Sequence, residues 1–303
     1  MEHISRTIGP EDVGRRLDQY VASLAPGVSR SEVQRQIREG LVVVSGRPGV
    51  APSYRLRHGD AVDWEPRSLD VLVPRALSIP ILYEDGDIVA VDKPANLIVH
   101  PGSGTRGTTT LVEALLATRS LAPSDDPARP GIVHRIDKET TGVLVVAKTA
   151  SALVALKDQF ARRAVEKQYL AWVAGAFDES EGTIDAPVGR DPRAPRRMAV
   201  SASGRLSQTE FSVLERHPRR TLLLVRPKTG RTHQIRVHFL YIGHPVIGDR
   251  LYGGPPAPRL FLHAWKLSID HPATGARLTF EAPPPASFPR GDYGALSDRA
   301  AKR

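Results

Sequence analysis

The sequence contains no cysteine, which excludes disulfides, thiolate nucleophiles and zinc or iron–sulfur sites built on Cys ligands. The fold must therefore stand on its apolar core. Long apolar runs are absent too: nothing approaches the roughly 18 uninterrupted residues of a spanning helix, and Met1-Glu-His-Ile-Ser-Arg6 has no apolar signal core. A cytoplasmic protein with no membrane contact is the expectation. Also missing are a Gly-rich loop ending in Lys-Ser or Lys-Thr, a His-Glu-x-x-His and a Gly-x-Ser-x-Gly, so nucleotide hydrolysis, zinc hydrolysis and esterase chemistry lose their signatures. His233 and His238 are five apart, and His134 and His263 are remote in sequence. Neither spacing suits a metal on a helix, and no metal site is expected.

What is present is length and positive charge. The 303 residues exceed the usual size of one domain. Lys and Arg number 42 against 33 Asp and Glu, a formal charge of +9, which favours a polyanionic partner, although a basic soluble protein without one has the same balance.

Residues 14–65 read as a unit of their own. Leu17, Tyr20, Val21 and Leu24 recur at helical spacing. Ser29 offers a cap for a second helix from Arg30 to about Glu39, with Val33 and Ile37 on one face, Arg30, Arg35 and Arg38 on others, and Gly40 closing it. A strand at 41–44, the turn Ser45-Gly46-Arg47-Pro48, the turn His58-Gly59-Asp60 and a strand at 61–64 complete it. The order Arg-Leu-Asp (16–18), Ser-Arg-Ser (29–31), Ile-Arg-Glu-Gly (37–40), Val-Val-Val-Ser-Gly (42–46) and Gly-Asp (59–60) resembles the S4 RNA-binding domain. Ser45 stands where that family usually has Asn. The resemblance implies that the module, taken as residues 1–65, binds RNA through Arg30, Arg35 and Arg38.

Pro66 and Pro74 break the pattern, so 66–78 is read as a linker and 79–290 as a second domain, with a flexible tail over 291–303. Paired strands are expected around Glu84-Asp85-Gly86-Asp87, a helix at 110–118, a loop over 120–130, a strand at 143–148 and a helix capped by Thr149 with Leu153, Leu156 and Phe160. Strands then dominate at 167–174, 208–216, 221–226, 260–268 and 276–282, interrupted by a helix at about 232–242. Regular βαβ alternation is absent, so the class is α+β.

Gly131-Ile-Val-His-Arg-Ile-Asp-Lys-Glu-Thr-Thr-Gly142 sets Asp137 between basic residues and delivers the chain to a β-branched strand. Two further segments carry chemistry: Val165-Glu-Lys-Gln-Tyr169 and Thr229-Gly-Arg-Thr-His-Gln-Ile-Arg-Val-His238. In order and wording these resemble the RluA family of pseudouridine synthases, whose signature is His-Arg-Leu-Asp-x-x-Thr-Ser-Gly. Leu82-Tyr-Glu-Asp, Val91-Asp-Lys-Pro, His100-Pro-Gly, Gly248-Asp and Leu262-His-Ala fall in family order as well, so the resemblance runs from about Ile81 to Ala282. With an S4-like module in front, it is strongest to the RluC/RluD-like branch that modifies large-subunit ribosomal RNA. Ile136 replaces the usual Leu and Thr141 the usual Ser, each keeping its chemical character.

The resemblance implies a largely antiparallel mixed sheet of the pseudouridine synthase fold and an enzyme that isomerises uridine without cofactor or obligatory protein partner, as a monomer. Its substrate would be 23S-type ribosomal RNA or a large-subunit precursor. Asp137 would attack C1′ or remove the C2′ proton, alternatives that stay open. Arg236 would pair with Asp137, and Tyr169 would stack on the base, its phenol available to assist loss of the C5 proton. Arg135 would fill the space left by the extruded base. Arg231 and His233 would grip phosphates, Leu262 would wall the pocket, and His134 would join the RNA-binding set. Singly, Asp137 also reads as a turn residue, Tyr169 as a core aromatic and Arg236 as a solvated helix residue. Two rival functions use the same residues: a non-catalytic RNA-binding assembly factor, and an N-glycosidase that releases uracil.

Overall fold

The computed structural model describes residues 3–25, 28, 30–66, 72–102, 108–194 and 197–291. These form two compact units, one running to Leu72 with 125–128, the other comprising 73–124 and the chain from 129 onward. The expected cap Ser29, part of the linker and residues 292–303 of the tail lie outside the described residues.

The first unit contains β1 (Ile4–Thr7), α1 (Leu17–Leu24), α2 (Arg30–Arg38), β2 (Val42–Val44), β3 (Arg47–Pro48) and β4 (Ala61–Trp64). Its antiparallel sheet has the order β1-β4-β2-β3. The helical periodicity at Leu17 and Val21 and at Val33 and Ile37 buries one stripe of each helix with Val42, Val44, Val62 and Trp64. Gly40 closes α2 at φ +76°, a backbone region natural to glycine. Sequence periodicity missed β1, whose four residues are mostly exposed and show no apolar alternation.

The second unit is built on a nine-stranded sheet. Its elements are β5 (Ile81–Glu84), β6 (Ile88–Lys93), α3 (Leu111–Leu116), β7 (Thr141–Ala147), α4 (Ala150–Ala161), β8 (Glu166–Ala174) and β9 (Glu181–Asp185). There follow β10 (Val188–Arg190), β11 (Met198–Val200), β12 (Gln208–His217), β13 (Arg220–Pro227), α5 (Gln234–Tyr241), β14 (Leu262–Asp270) and β15 (Arg277–Glu281). The order is β5-β6-β7-β14-β8-β13-β12-β9, with β15 also paired to β14. Among the described strands only β7 and β14 pair in parallel, so the sheet is mixed and largely antiparallel, and with few helices the class is α+β. β10 and β11 form a separate antiparallel pair.

The local chemistry that forms these elements is visible at their ends. Thr110 and Glu113 make a reciprocal capping box at the start of α3, and Thr149 Oγ1 accepts from Ala152 N at the start of α4. Strand β7 begins two residues earlier than sequence reading placed it, and every one of its side chains is buried. Gly142 is what permits this: its φ is +112°, and a Cβ there would lie 2.1 Å from the carbonyl oxygen of Ala264 on β14. The close parallel contact thus fixes where the segment before Gly142 leaves the sheet. No helix among the described residues is long and apolar enough to cross a membrane.

Candidate active site

Residues 131–140 turn over the end of β7 and meet the N-terminal end of α5 and the start of β8 and β14. The result is a cleft of about 520 Å³, lined by His134, Arg135, Asp137, Tyr169, Arg231, His233, Arg236 and Leu262 among others. Of the eleven expected site residues, these eight come together. The remaining three, Arg30, Arg35 and Arg38, belong to the first unit.

Asp137 is half-buried, and Nη1 of Arg236 lies 3.5 Å from its Oδ2. This pairing was expected, but it is a minor part of what holds Arg236. The guanidinium is 2% exposed; Nε donates to Asp249 Oδ2 at 2.6 Å, Nη2 to Asp249 Oδ1 at 2.7 Å, and Nη2 also reaches Glu139 Oε2 at 3.3 Å. Burial disfavours the charge, but the bond to Asp249, with Asp137 and Glu139 beyond it, outweighs burial and raises the pKa of Arg236 above its ordinary value. Asp249 Oδ1 in turn accepts from Leu251 N and Tyr252 N, which ties the guanidinium to the backbone. Sequence reading noticed Gly248-Asp249 only as a pair in family order and gave Asp249 no role. An acid 13 positions after Arg236 carries no periodic signal, because a loop rather than a helix turn brings it back.

Tyr169 projects from β8 into the cleft. Burial first, then the neighbouring Asp137, push its phenol well above the ordinary value. The phenol is therefore held neutral, which disfavours proton abstraction by a phenolate, and it lines the cleft. Leu262, the first residue of β14, is buried and lines the wall. Arg135 is exposed at the rim.

His134 is tied into the wall. Its Nε2 accepts from Val145 N at 3.0 Å, its ring stacks on Phe160 at 4.6 Å, and burial pushes its pKa down to about 3. A neutral imidazole with one nitrogen committed to β7 braces the segment that carries Asp137. His233 begins α5 at φ +55°, and its Nδ1 lies 2.8 Å from the hydroxyl of Tyr252. That hydroxyl accepts from Met198 N at 2.9 Å, so its hydrogen is left for His233. Nδ1 is thus an acceptor, and Nε2–H, without a partner among the described residues, is a donor available to the cleft. Burial also lowers the pKa of His233, so its grip on a ligand is that of a neutral donor.

Lys93 is a buried cation that sequence reading did not assign. Its Nζ donates to the carbonyls of Pro94, Leu97 and Lys138 at 2.8 to 3.0 Å, joining the end of β6 to the residue after Asp137. Burial drives its pKa down to about 7, opposed by the nearby Asp137. In the first unit, Arg30 is bonded to the buried Asp18 at 3.0 Å, and Arg35 pairs with Glu32. Among the described residues Arg38 makes only a long contact to Gln34, at 3.5 Å, and it is exposed.

A family model described as RNA pseudouridylate synthase matches residues 87–241, and the S4 domain model matches residues 15–62. The chain is 43% identical over 293 residues to the uncharacterized RNA pseudouridine synthase YlyB of Bacillus subtilis, covering 94% of this chain and 95% of that protein. It is 41% identical over 302 residues to the ribosomal large subunit pseudouridine synthase D of Nitrosomonas europaea, covering 93% and 85%. Among solved structures, human RNA pseudouridylate synthase domain containing 1 is similar, with a TM-score of 0.60 and 27% identity, over 75% of this chain and 96% of that one.

Proposed function

The chain belongs to the RNA pseudouridylate synthase family, and from that membership we propose that it isomerises specific uridines of large-subunit ribosomal RNA, with Asp137 acting at the ribose. The reaction must break N1–C1′, turn the uracil over and join C5 to C1′ while retaining the base. The observation that carries the assignment is the Asp137 carboxylate, 3.5 Å from a buried guanidinium, in a cleft that also holds Tyr169 and Leu262.

Two routes suit this carboxylate. In the first, an Asp137 oxygen bonds to C1′ as the N1–C1′ pair leaves with uracil; after rotation C5 bonds to C1′, the C1′–O pair returns to Asp137, and the proton lost from C5 is matched by one gained at N1. In the second, Asp137 takes the C2′ proton, a glycal forms as uracil leaves, the proton returns to C2′ when C5 adds at C1′, and C5 gives up its proton as N1 gains one. Arg236 orients the carboxylate in both. Tyr169 stacks on the base, Leu262 closes its pocket, and Arg135 at the rim takes the place of the extruded base in the RNA. Arg231 and His233 hold backbone or base oxygens, and His134 braces the wall.

The S4-like unit presents Arg38 to phosphates. Arg30 and Arg35 contribute charge while remaining paired within the unit. The protein acts in the cytoplasm as a monomer, with RNA as its partner and no cofactor. The test is Asp137→Asn, assayed for pseudouridine in ribosomal RNA after mapping the sites lost in cells without the protein. Abolished isomerisation with retained RNA binding is expected. Unchanged isomerisation would remove Asp137 from the chemistry, and free uracil among the products would indicate a glycosidase.

A further inference from the structure

One wall of the cleft gathers four cations that no carboxylate neutralises. Arg163, Lys167, Arg205 and Arg231 all line it, and among the described residues none of the four makes an ion pair. Lys167 lies two residues before Tyr169 on β8, so both side chains leave the same face of the strand. Among the described residues its ammonium reaches only the carbonyl of Thr229, at 3.4 Å. Burial, then Arg163, push its pKa down to about 8. Arg231 is lowered likewise, by burial and then by Arg205 and Arg163, and its guanidinium makes only long contacts to Leu206 O at 3.4 Å. Arg163 follows α4 in the left-handed cap that ends the helix, where Arg163 N donates to Phe160 O and Ala164 N to Gln159 O.

Elsewhere the chain treats buried cations differently. Arg236 is met by three carboxylates, and Lys93 spends all three hydrogens on carbonyls at 3.0 Å or less. A partly buried lysine with one weak contact, beside Arg163 that repels it, is destabilising until an anion arrives.

We propose that Lys167, Arg163 and Arg205 join Arg231 in a subsite for a backbone phosphate adjoining the uridine drawn into the cleft, with Lys167 as its innermost contact. The subsite rests on reading the Asp137 cleft as the uridine site. Tyr169 stacks the base while Lys167, next on the same strand face, neutralises the strand that carries it. The guanidinium of Arg231 supplies two parallel donors, and Lys167 a point charge. A phosphate there favours the charged form of Lys167, so binding above pH 8 draws a proton from solution.

The test uses the full-length protein and a large-subunit ribosomal RNA transcript, with affinity followed between 50 and 300 mM KCl. Lys167→Met is expected to reduce the slope of log Kd against log [KCl] by about 0.7 to 0.9, the value of one phosphate contact. Arg163→Ala should do the same, whereas Lys157→Met, on the exposed face of α4 and outside the cleft, should not. Calorimetry at pH 8.5 in buffers of different ionisation enthalpy should record uptake of roughly 0.7 proton by the unaltered protein. Lys167→Arg, permanently charged, should keep the salt slope and lose the uptake. An unchanged slope in Lys167→Met together with unchanged uptake in Lys167→Arg overturns the subsite. If the slopes and uptake behave as expected but no pseudouridine forms in the RNA, the phosphate subsite stands and the isomerase reading fails.

Discussion

Asp249 accepts from both Nε and Nη2 of Arg236, and the two side chains are 0% and 2% exposed. The contact to Asp137 is longer than either bond by almost an ångström. Asp249 therefore sets where the guanidinium stands, and the guanidinium sets where Asp137 points.

Removing Asp249 leaves a buried cation with only Asp137 and Glu139 to meet it. Asp249→Ala should cost about 3–5 kcal/mol of stability by urea denaturation, the usual result of breaking a buried pair on one side. Asp249→Asn keeps the volume, so it should fold. Its single-turnover rate of pseudouridine formation should fall by about 100-fold, the cost typical of displacing a reacting group by an ångström. A folded Asp249→Asn with the unaltered rate would show that Arg236 needs no such anchor.

The contrast between Asp137 and Asp249 marks how far the sequence was legible. Asp137, Tyr169 and Arg236 lie in segments with distinctive local wording, and β7, which follows Asp137, and α5, which carries Arg236, announce themselves through a β-branched run and helical spacing. Asp249, Tyr252 and Lys93 act through loops and carbonyls, where neither periodicity nor composition reports a partner. Arg30 and Arg35 show the opposite difficulty. Their spacing on α2 suggested a free basic face, but Asp18 and Glu32, themselves unremarkable in sequence, fold back to pair with them. The short pair β10 and β11 escaped notice because three residues each give no alternation to read.

Tyr252 offers a second test, through the tautomer of His233. Its hydroxyl accepts from Met198 N and donates to His233 Nδ1, which favours the neutral ring with Nε2–H available to the cleft. Tyr252→Phe deletes that donor. Burial still holds the pKa of His233 below its ordinary value, but with the donor to the neutral ring gone it should rise, and kcat/KM should fall by about tenfold, equivalent to one hydrogen bond of about 1.4 kcal/mol. The loss should deepen as the pH falls, because the variant's ring protonates before that of the unaltered protein. Nitrogen chemical shifts of the His233 ring would report the tautomer directly, and an Nε2–H signal unchanged in Tyr252→Phe would refute the assignment.

The pH dependence of stability follows from a different histidine. His263 is wholly buried on β14; its Nε2–H donates to Ala282 O at 2.9 Å, and its Nδ1 lies 2.8 Å from Thr141 Oγ1. Arg259 donates to that same oxygen, which leaves the Thr141 hydrogen for Nδ1. Burial holds the pKa down at about 4, whereas in the unfolded chain the ring titrates near 6.5. Between these values the unfolded state takes up a proton that the folded state refuses. Stability is therefore complete above about pH 6.5 and declines as the pH falls toward 4, by ~2 kcal/mol at pH 5 for this one group. His134, held down to about 3, acts in the same direction. The Asp18 carboxylate, held low chiefly by Arg16, is lost only at lower pH and lies outside this window. Urea midpoints measured from pH 7.5 to 5 should thus fall for the unaltered protein and fall less for His263→Gln, which is less stable at pH 7.5 but lacks the titrating ring. Parallel pH profiles for the two proteins would mean that His263 protonates without unfolding, and that the Thr141 contact does not hold it neutral.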